Sequence, residues 1–425
     1  MFNRKSYFFI GIGGIGISAI AKMLFKNGKN VSGSDANKSE ITDDLKKMGI
    51  RITIGHKASN IPKDTEIVIH TIAINSNNPE ILEAKKRKLK IITYPEALGE
   101  LSKEMFTIAV SGTHGKTTTT AMIGYILKKA GLDPTIIVGS KILGENTNFI
   151  SGKSQYLVVE ACEYRRSFLN LRPNILVITN IEADHLDYYK NIKDIQNAFQ
   201  ELINKVPKDG YIITKLKGDN IEKTLKKARA KILDYDLVVM NQKIGISGEH
   251  NILNAQAAIK AVEPLGIDKE KAIKYLKDFK GTWRRLEYKG KVGKNIFYDD
   301  YAHHPTEIKA SISTLSDKYP NHGIICVFEP HQQSRTRLLL NDFVKALRLA
   351  DKVFIAPILI TREIDDHKTT NKMLAEIVNK YTPALPVENH NELKKHLLKI
   401  DSSKPLCVVL MGAGNIYKWT KEILK

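Results

Sequence analysis

Short apolar runs alternate along this chain with longer stretches whose apolar positions recur at helical spacing. The first run is 7–10; a glycine turn, a helical pattern to about Asn27 and a stop at Gly28 follow, and a strand is read near 30–33. Strands at 68–70 and 91–93 extend the series, separated by lysine-rich helical segments. A second set opens at 107–111 with a glycine-rich turn and a helix through Ala130. It continues with strands at 156–160, 175–179 and 211–214, and closes on helices containing 251–261 and 269–279. The stretch 215–245 carries no clear period. A third set of strands, 296–299, 323–328, 352–355 and 406–411, alternates with helices at 306–315, 341–349 and 371–380. Strand–helix alternation of this kind predicts mostly parallel sheets with helices on their faces, an α/β fold in three blocks: 1–104, 105–283 and 284–425.

Composition narrows the class. A hydrophobic share of 42% and a charged share of 26% are those of a folded globular chain. Cys162, Cys326 and Cys407 are too few and too scattered for a disulfide framework or a zinc site, which fits a reducing cytoplasm. The net charge of +20 is spread over clusters such as Lys85-Lys86-Arg87-Lys88, which fall in helical segments and read as solvated faces. With no basic tail or finger spacing, nucleic acid is not an expected partner, whereas nucleotides and phosphates are. The apolar start around 7–17 is broken by glycines and by Lys22, so neither a leader peptide nor a membrane span is expected.

Glycine-rich turns carry the chemistry. Gly11-x-Gly13-Gly14-x-Gly16 follows a strand and opens a helix, and Asp35 stands at the end of the next strand. That spacing suits a diphosphate at a helix N-terminus, with the acid placed to accept from a ribose hydroxyl, although any close-packed strand–helix turn would also use such glycines. A stronger motif is Ser111-Gly112-Thr113-His114-Gly115-Lys116-Thr117-Thr118, again between strand and helix. Its amides can gather a triphosphate, Lys116 can pair with the β- and γ-phosphates, and the Thr117 hydroxyl can ligate Mg²⁺. Glu160 ends a strand, and Asn180-Ile181-Glu182-Ala183-Asp184-His185 follows another, positions that face the crevice of an open sheet. Further on, Asn251 and Asn254 open a helix, while Asp300, His304, His331 and Arg335 lie just after strands of the third block.

Taken in order, the stretches FFIGIGGIGISAIA, SGSD, VSGTHGKTTTT, TNIEADHLDYY, SGEHNILNAQAAI, FKGTWRRLEYKG, DDYAHHPTEIKA, FEPHQQSRTR and MGAGNI resemble the Mur ligases across essentially the whole chain. The resemblance implies a Rossmann-like domain for a UDP-sugar, a central ATPase domain and a C-terminal Rossmann-like domain for an amino acid. It implies ATP and Mg²⁺ as cofactors, and the family's alanine-adding reaction on UDP-N-acetylmuramate through an acyl phosphate, by a monomer or weak homodimer. Gly11, Gly13, Gly14, Gly16 and Asp35 would then hold the UDP-sugar. Gly112 to Thr118, Asn251, Asn254, Arg285 and Asp300 would hold the nucleotide, and Thr117, Glu160 and His185 the metals. Lys116, Glu160, His185 and Arg335 would be catalytic, with His304, His331 and Arg335 on the amino-acid side.

The chain departs from the family pattern at Cys162, where an acid is usual, at Asn415, where Asp is usual, and at Gln332-Gln333, where a bulkier or basic pair is common, and its 215–248 region is shorter than the family's norm. Cys162 is expected to pack behind the site as a small buried residue. Rival readings are a ligase adding a tripeptide to the same UDP-sugar, an NAD-dependent dehydrogenase using only the first glycine turn, and a nucleotide-binding module without catalysis.

Overall fold

A strand with no polar position inside it has no face to give to water. β1 (Ser6–Ile10) is buried along its whole length and pairs in parallel on both sides, with β2 (Asn30–Asp35) and with the strand Ile67–His70. The computed structural model that shows this describes residues 3–361, 363–365, 367–400 and 403–425. With β3 (Arg51–Ile54), β4 (Ile67–His70) and β5 (Lys90–Thr93), the first sheet has the order β3-β2-β1-β4-β5. Its helices are α1 (Ile15–Lys26), α2 (Glu40–Lys47), α3 (Pro79–Lys86) and α4 (Tyr94–Glu104). β3 was not expected: it is an edge strand with only Ile52 buried, too little to register as an apolar run.

The second sheet is built from β6 (Phe106–Ser111), β7 (Thr135–Ile142), β8 (Thr147–Ile150), β9 (Tyr156–Glu160), β10 (Ile175–Ile178), β11 (Tyr211–Thr214) and β12 (Lys231–Asp234). Their order is β12-β11-β10-β6-β9-β7-β8, parallel except for the β7–β8 pair. α5 (Lys116–Lys129) follows the central strand β6 directly. Two corrections fall here. The β7–β8 hairpin was not expected, because β7 is interrupted by polar Ser140 and Lys141, and β12 lies inside the stretch that showed no period.

Both sheets belong to one compact unit, residues 1–245 with 253–280. One apolar core runs through it, from Phe9 and Ile20 by way of Phe149 to Leu157 and Phe199. Beside that core Lys22, itself buried, donates to Asn148 Oδ1 at 2.9 Å and ties α1 to β8.

The second unit comprises 246–252 and 281–425. Its sheet contains β13 (Glu287–Val292), β14 (Asn295–Asp300), β15 (Gly323–Phe328), β16 (Lys352–Ile355), β17 (Ala384–Pro386) and β18 (Leu406–Met411), in the order β13-β14-β18-β15-β16-β17. β13 runs antiparallel to β14 and the rest are parallel. β13 and β17 were unexpected; both are edges, one largely exposed and one only three residues long with a proline. Separate apolar clusters cover the two faces, one around Phe328 and Phe343, the other around Phe354 and Leu410. Among the described residues no helix is long and apolar enough to cross a membrane.

Candidate active site

In a parallel sheet the functional loops leave the carboxyl ends of the strands, and β6 delivers its loop directly onto α5. The turn needs left-handed backbone at its hinge. Gly115 caps α5 at φ 82°, and a side chain there would run into Asn254 Oδ1. The loop is braced by the segment after β10: Asn180 accepts at its carbonyl from Thr113 N (3.1 Å) and at Oδ1 from His114 N (2.9 Å). Asn254 Oδ1 accepts from Thr119 Oγ1 at 3.2 Å, so this expected residue does lie at the loop. Thr118 is buried in the first turn of α5.

Lys116 Nζ donates to Gly112 O (2.6 Å), Thr113 O (2.9 Å) and Glu163 Oε1 (3.0 Å). Burial opposes the ammonium charge, but Glu163, Cys162 and Glu160 together outweigh it and hold the group above the ordinary lysine range. Burial likewise opposes the Glu163 carboxylate; Lys116 and then His185 outweigh that and hold it below its ordinary value. Thr117 Oγ1 donates to Glu160 Oε2 at 2.9 Å, and Gly139 N donates to the same oxygen at 2.8 Å. His185, at φ 53°, places Nε2 3.4 Å from Glu163 Oε1 and 3.8 Å from Asp184 Oδ2. Ligand atoms of Glu163, Asp184 and His185 all lie within 4.8 Å of one another.

Of the residues expected at the metals, Thr117 and Glu160 meet directly, while His185 lies beside two further carboxylates. Glu160 serves Thr117, and the carboxylates beside His185 are Glu163 and Asp184. Sequence reasoning missed Glu163 and Gly139. An E-x-x-E spacing pointed to the first, whereas nothing local marked the second. Cys162 is exposed, not buried as expected.

At the first glycine turn, Gly11 N and Ile12 N both donate to Ser34 O, at 2.8 and 3.0 Å. Asp35 Oδ2 accepts from Gly13 N at 2.8 Å, and its Oδ1 accepts from Asn37 N at 3.2 Å. Both oxygens of the acid expected at a ribose thus bind the backbone, one of them the glycine turn itself. Gly14 caps α1 without a side-chain hydrogen bond.

In the second unit, Asp300 is buried and accepts from Ser311 Oγ and, at 3.2 Å, from Ala302 N; burial pushes its carboxyl upward. The Arg285 guanidinium lies 5.1 Å from the Tyr301 ring centre and 3.6 Å from Glu307. Burial, and then Arg285, push the His250 imidazole down to about 4. Asn251 Nδ2 donates to Ser247 O at 2.7 Å. His304 is the N-cap of the helix Pro305–Lys318, its Nδ1 accepting from Thr306 N at 3.3 Å.

His331 Nδ1 lies 3.4 Å from Arg335 Nη1 and its Nε2 2.9 Å from Thr361 Oγ1. Arginine can only donate, so Nδ1 accepts and the proton sits on Nε2. Arg284 went unread beside Arg285. It is buried, donates to Gly412 O and to Gly414 O (2.8 Å), and lies within 5.6 Å of the ring centres of Trp283, Tyr301 and Tyr417.

Known proteins share this organisation. Residues 6–105 match the "Mur ligase family, catalytic domain", 110–238 the "Mur ligase middle domain" and 284–414 the "Mur ligase, glutamate ligase domain". The UDP-N-acetylmuramate–L-alanine ligase of Clostridium tetani is 42% identical over 99% of this chain and 98% of its own length. The solved UDP-N-acetylmuramate-alanine ligase MurC of Thermotoga maritima superposes with a TM-score of 0.80 at 29% identity, covering 99% of this chain and 98% of that one. A murein peptide ligase from Psychrobacter arcticus shares the fold at TM-score 0.73 and 23% identity, covering 99% of this chain and 98% of its own. With three matched segments in order and relatives aligned from end to end, the chain belongs to the Mur ligase family.

Proposed function

We propose that this chain is an ATP-dependent ligase joining L-alanine to the lactyl carboxylate of UDP-N-acetylmuramate, an early cytoplasmic step of peptidoglycan synthesis. The observation that carries the reading is the Lys116 loop, braced by Asn180 and flanked by Thr117–Glu160 and Glu163–His185, in a chain 42% identical end to end to a ligase of that name. Block 1–104 then binds the UDP-sugar through Gly11, Gly13, Gly14 and Gly16, with Asp35 shaping the turn. Block 105–283 binds ATP, and block 284–425 takes the amino acid near His331 and Arg335. No nucleic acid or membrane partner enters this reading.

Chemically, the lactyl carboxylate oxygen attacks the γ-phosphorus and ADP leaves, giving an acyl phosphate. The uncharged alanine amine then attacks the acyl carbon, phosphate departs, and the amine gives up a proton. Lys116 neutralises charge on the transferring phosphoryl group, and the loop amides orient it. Oxygen donors dominate both groups, Thr117 with Glu160 and Glu163 with Asp184 and His185, a donor set that fits a hard divalent cation. Bound Mg²⁺ supplies positive charge to the phosphate and acyl oxygens. His331, with its two ring nitrogens engaged by Arg335 and Thr361, acts by positioning Arg335 and not as the base.

The test is phosphate release from ATP with UDP-N-acetylmuramate while the acceptor is varied among L-alanine, glycine, L-serine and a tripeptide. The reading expects release to depend on both sugar nucleotide and L-alanine. Release driven by the tripeptide alone would transfer the chain to the murein peptide ligases, and none with any acceptor would reject ligation.

A further inference from the structure

Tyr94 is the first residue of α4, and its root is fixed by a capping box in which Thr93 and Glu96 bind each other's backbone. Its ring fills the place a side chain on Gly16 would take. A Cβ added there would stand 2.8 Å from both Cζ and the hydroxyl oxygen of Tyr94, and 2.9 Å from Cε1. The last glycine of the first turn is thus a glycine because a phenol lies on the opening turn of α1, where a diphosphate would meet the helix N-terminus.

The same ring senses the other site. After burial itself, the groups that push the Tyr94 phenol above its ordinary range are Glu160 and then Cys162, so it stays a neutral donor. Glu160 is the carboxylate that holds Thr117. Among the described residues the Tyr94 hydroxyl has no hydrogen-bond partner. A phenol hydroxyl that is half-exposed and not committed to the protein can donate to an oxygen of a ligand arriving at this turn.

We infer that Tyr94 is a positioning residue for the sugar nucleotide: its hydroxyl donates to an anionic oxygen of that substrate, between the glycine turn and Glu160. This rests on the reading proposed above. The hydroxyl holds the substrate so that the end bearing the carboxylate points toward the Lys116 loop.

Tyr94→Phe removes the hydroxyl and keeps the ring on Gly16. Calorimetric titration of the intact protein with UDP-N-acetylmuramate comes first, because failure of the parent to bind it overturns the functional reading and this inference together. Where the parent binds, Tyr94→Phe is expected to weaken that binding about ten-fold and to raise KM for the sugar nucleotide. KM for ATP and the melting temperature should stay at the parent values. UDP alone separates the two acceptors: a loss of equal size assigns the diphosphate, and a loss confined to the full sugar nucleotide assigns its carboxylate. Sugar-nucleotide affinity within two-fold of the parent, or a parallel loss of ATP affinity and melting temperature, overturns the inference. Gly16→Ala, which pushes the phenol aside, should reproduce the Tyr94→Phe binding defect.

Discussion

Lys116 Nζ stands 3.0 Å from each carboxylate oxygen of Glu163, and the two side chains are only 13% and 4% exposed. A phosphate entering the loop competes with Glu163 for that ammonium, so the carboxylate sets how freely the lysine can turn to its substrate. Removing one partner of a buried pair leaves the other charge uncompensated, at about 3 kcal/mol.

Lys116→Ala is therefore expected to lose stability as well as at least about 100-fold in turnover. The double variant Lys116→Ala/Glu163→Gln removes the stranded charge; its melting temperature should recover most of the loss while turnover stays low. Thermal unfolding beside phosphate release separates the two effects. Full activity in a folded Lys116→Ala protein would remove the loop from the ATP site.

Glu160 Oε2 takes hydrogen bonds from both Thr117 and Gly139. Glu160→Gln keeps the shape and loses the anion, so the magnesium concentration for half-maximal turnover should rise about ten-fold or more, with ATP affinity changed less. Gly139→Ala should act in the same direction, because the added Cβ would lie 2.6 Å from Glu160 Oε2 and displace it. A magnesium titration identical to the parent's for both variants would place the cation elsewhere.

Central strands were legible because burial leaves no polar position in them: Gly323–Phe328 and Leu406–Met411 have the bounds read from the apolar runs. Edges such as β3 and β13 were not, since exposed positions dilute the pattern. β7 of the β7–β8 hairpin was hidden because Gly139, Ser140 and Lys141 interrupt its apolar run. Within the site, contiguous motifs announced the Lys116 loop. The Lys116–Glu163 pairing did not show, because its partners stand 47 positions apart and no residue period encodes such a contact.

Asp35 links β2 to the first glycine turn through Gly13 N. Asp35→Ala removes that acceptor and should raise KM for the sugar nucleotide about five- to ten-fold with KM for ATP unmoved. Asp35→Asn retains one carbonyl oxygen for Gly13 and should be milder. A kcat effect with unchanged sugar-nucleotide KM would contradict a role in shaping the turn.

Asp299 gives the clearest pH signature in the second unit. It is 1% exposed, accepts from Thr420 Oγ1, and is pushed up to about 6 by burial, which the hydrogen bond and the charges of Lys289 and Arg284 only partly offset. An unfolded aspartate titrates near 3.8. Between those values the folded protein holds the proton more tightly than the unfolded chain does. Stability therefore falls as pH rises through this window and the loss is complete above the folded value, at a cost on the order of 3 kcal/mol. Asp299→Asn does not titrate and still accepts from Thr420. The melting temperature of the variant minus that of the parent should climb from about pH 3.8 to about pH 6 and then level, as the linkage requires. A difference that stays constant across that range would show that the carboxyl titrates at its ordinary value and that its burial carries no electrostatic cost.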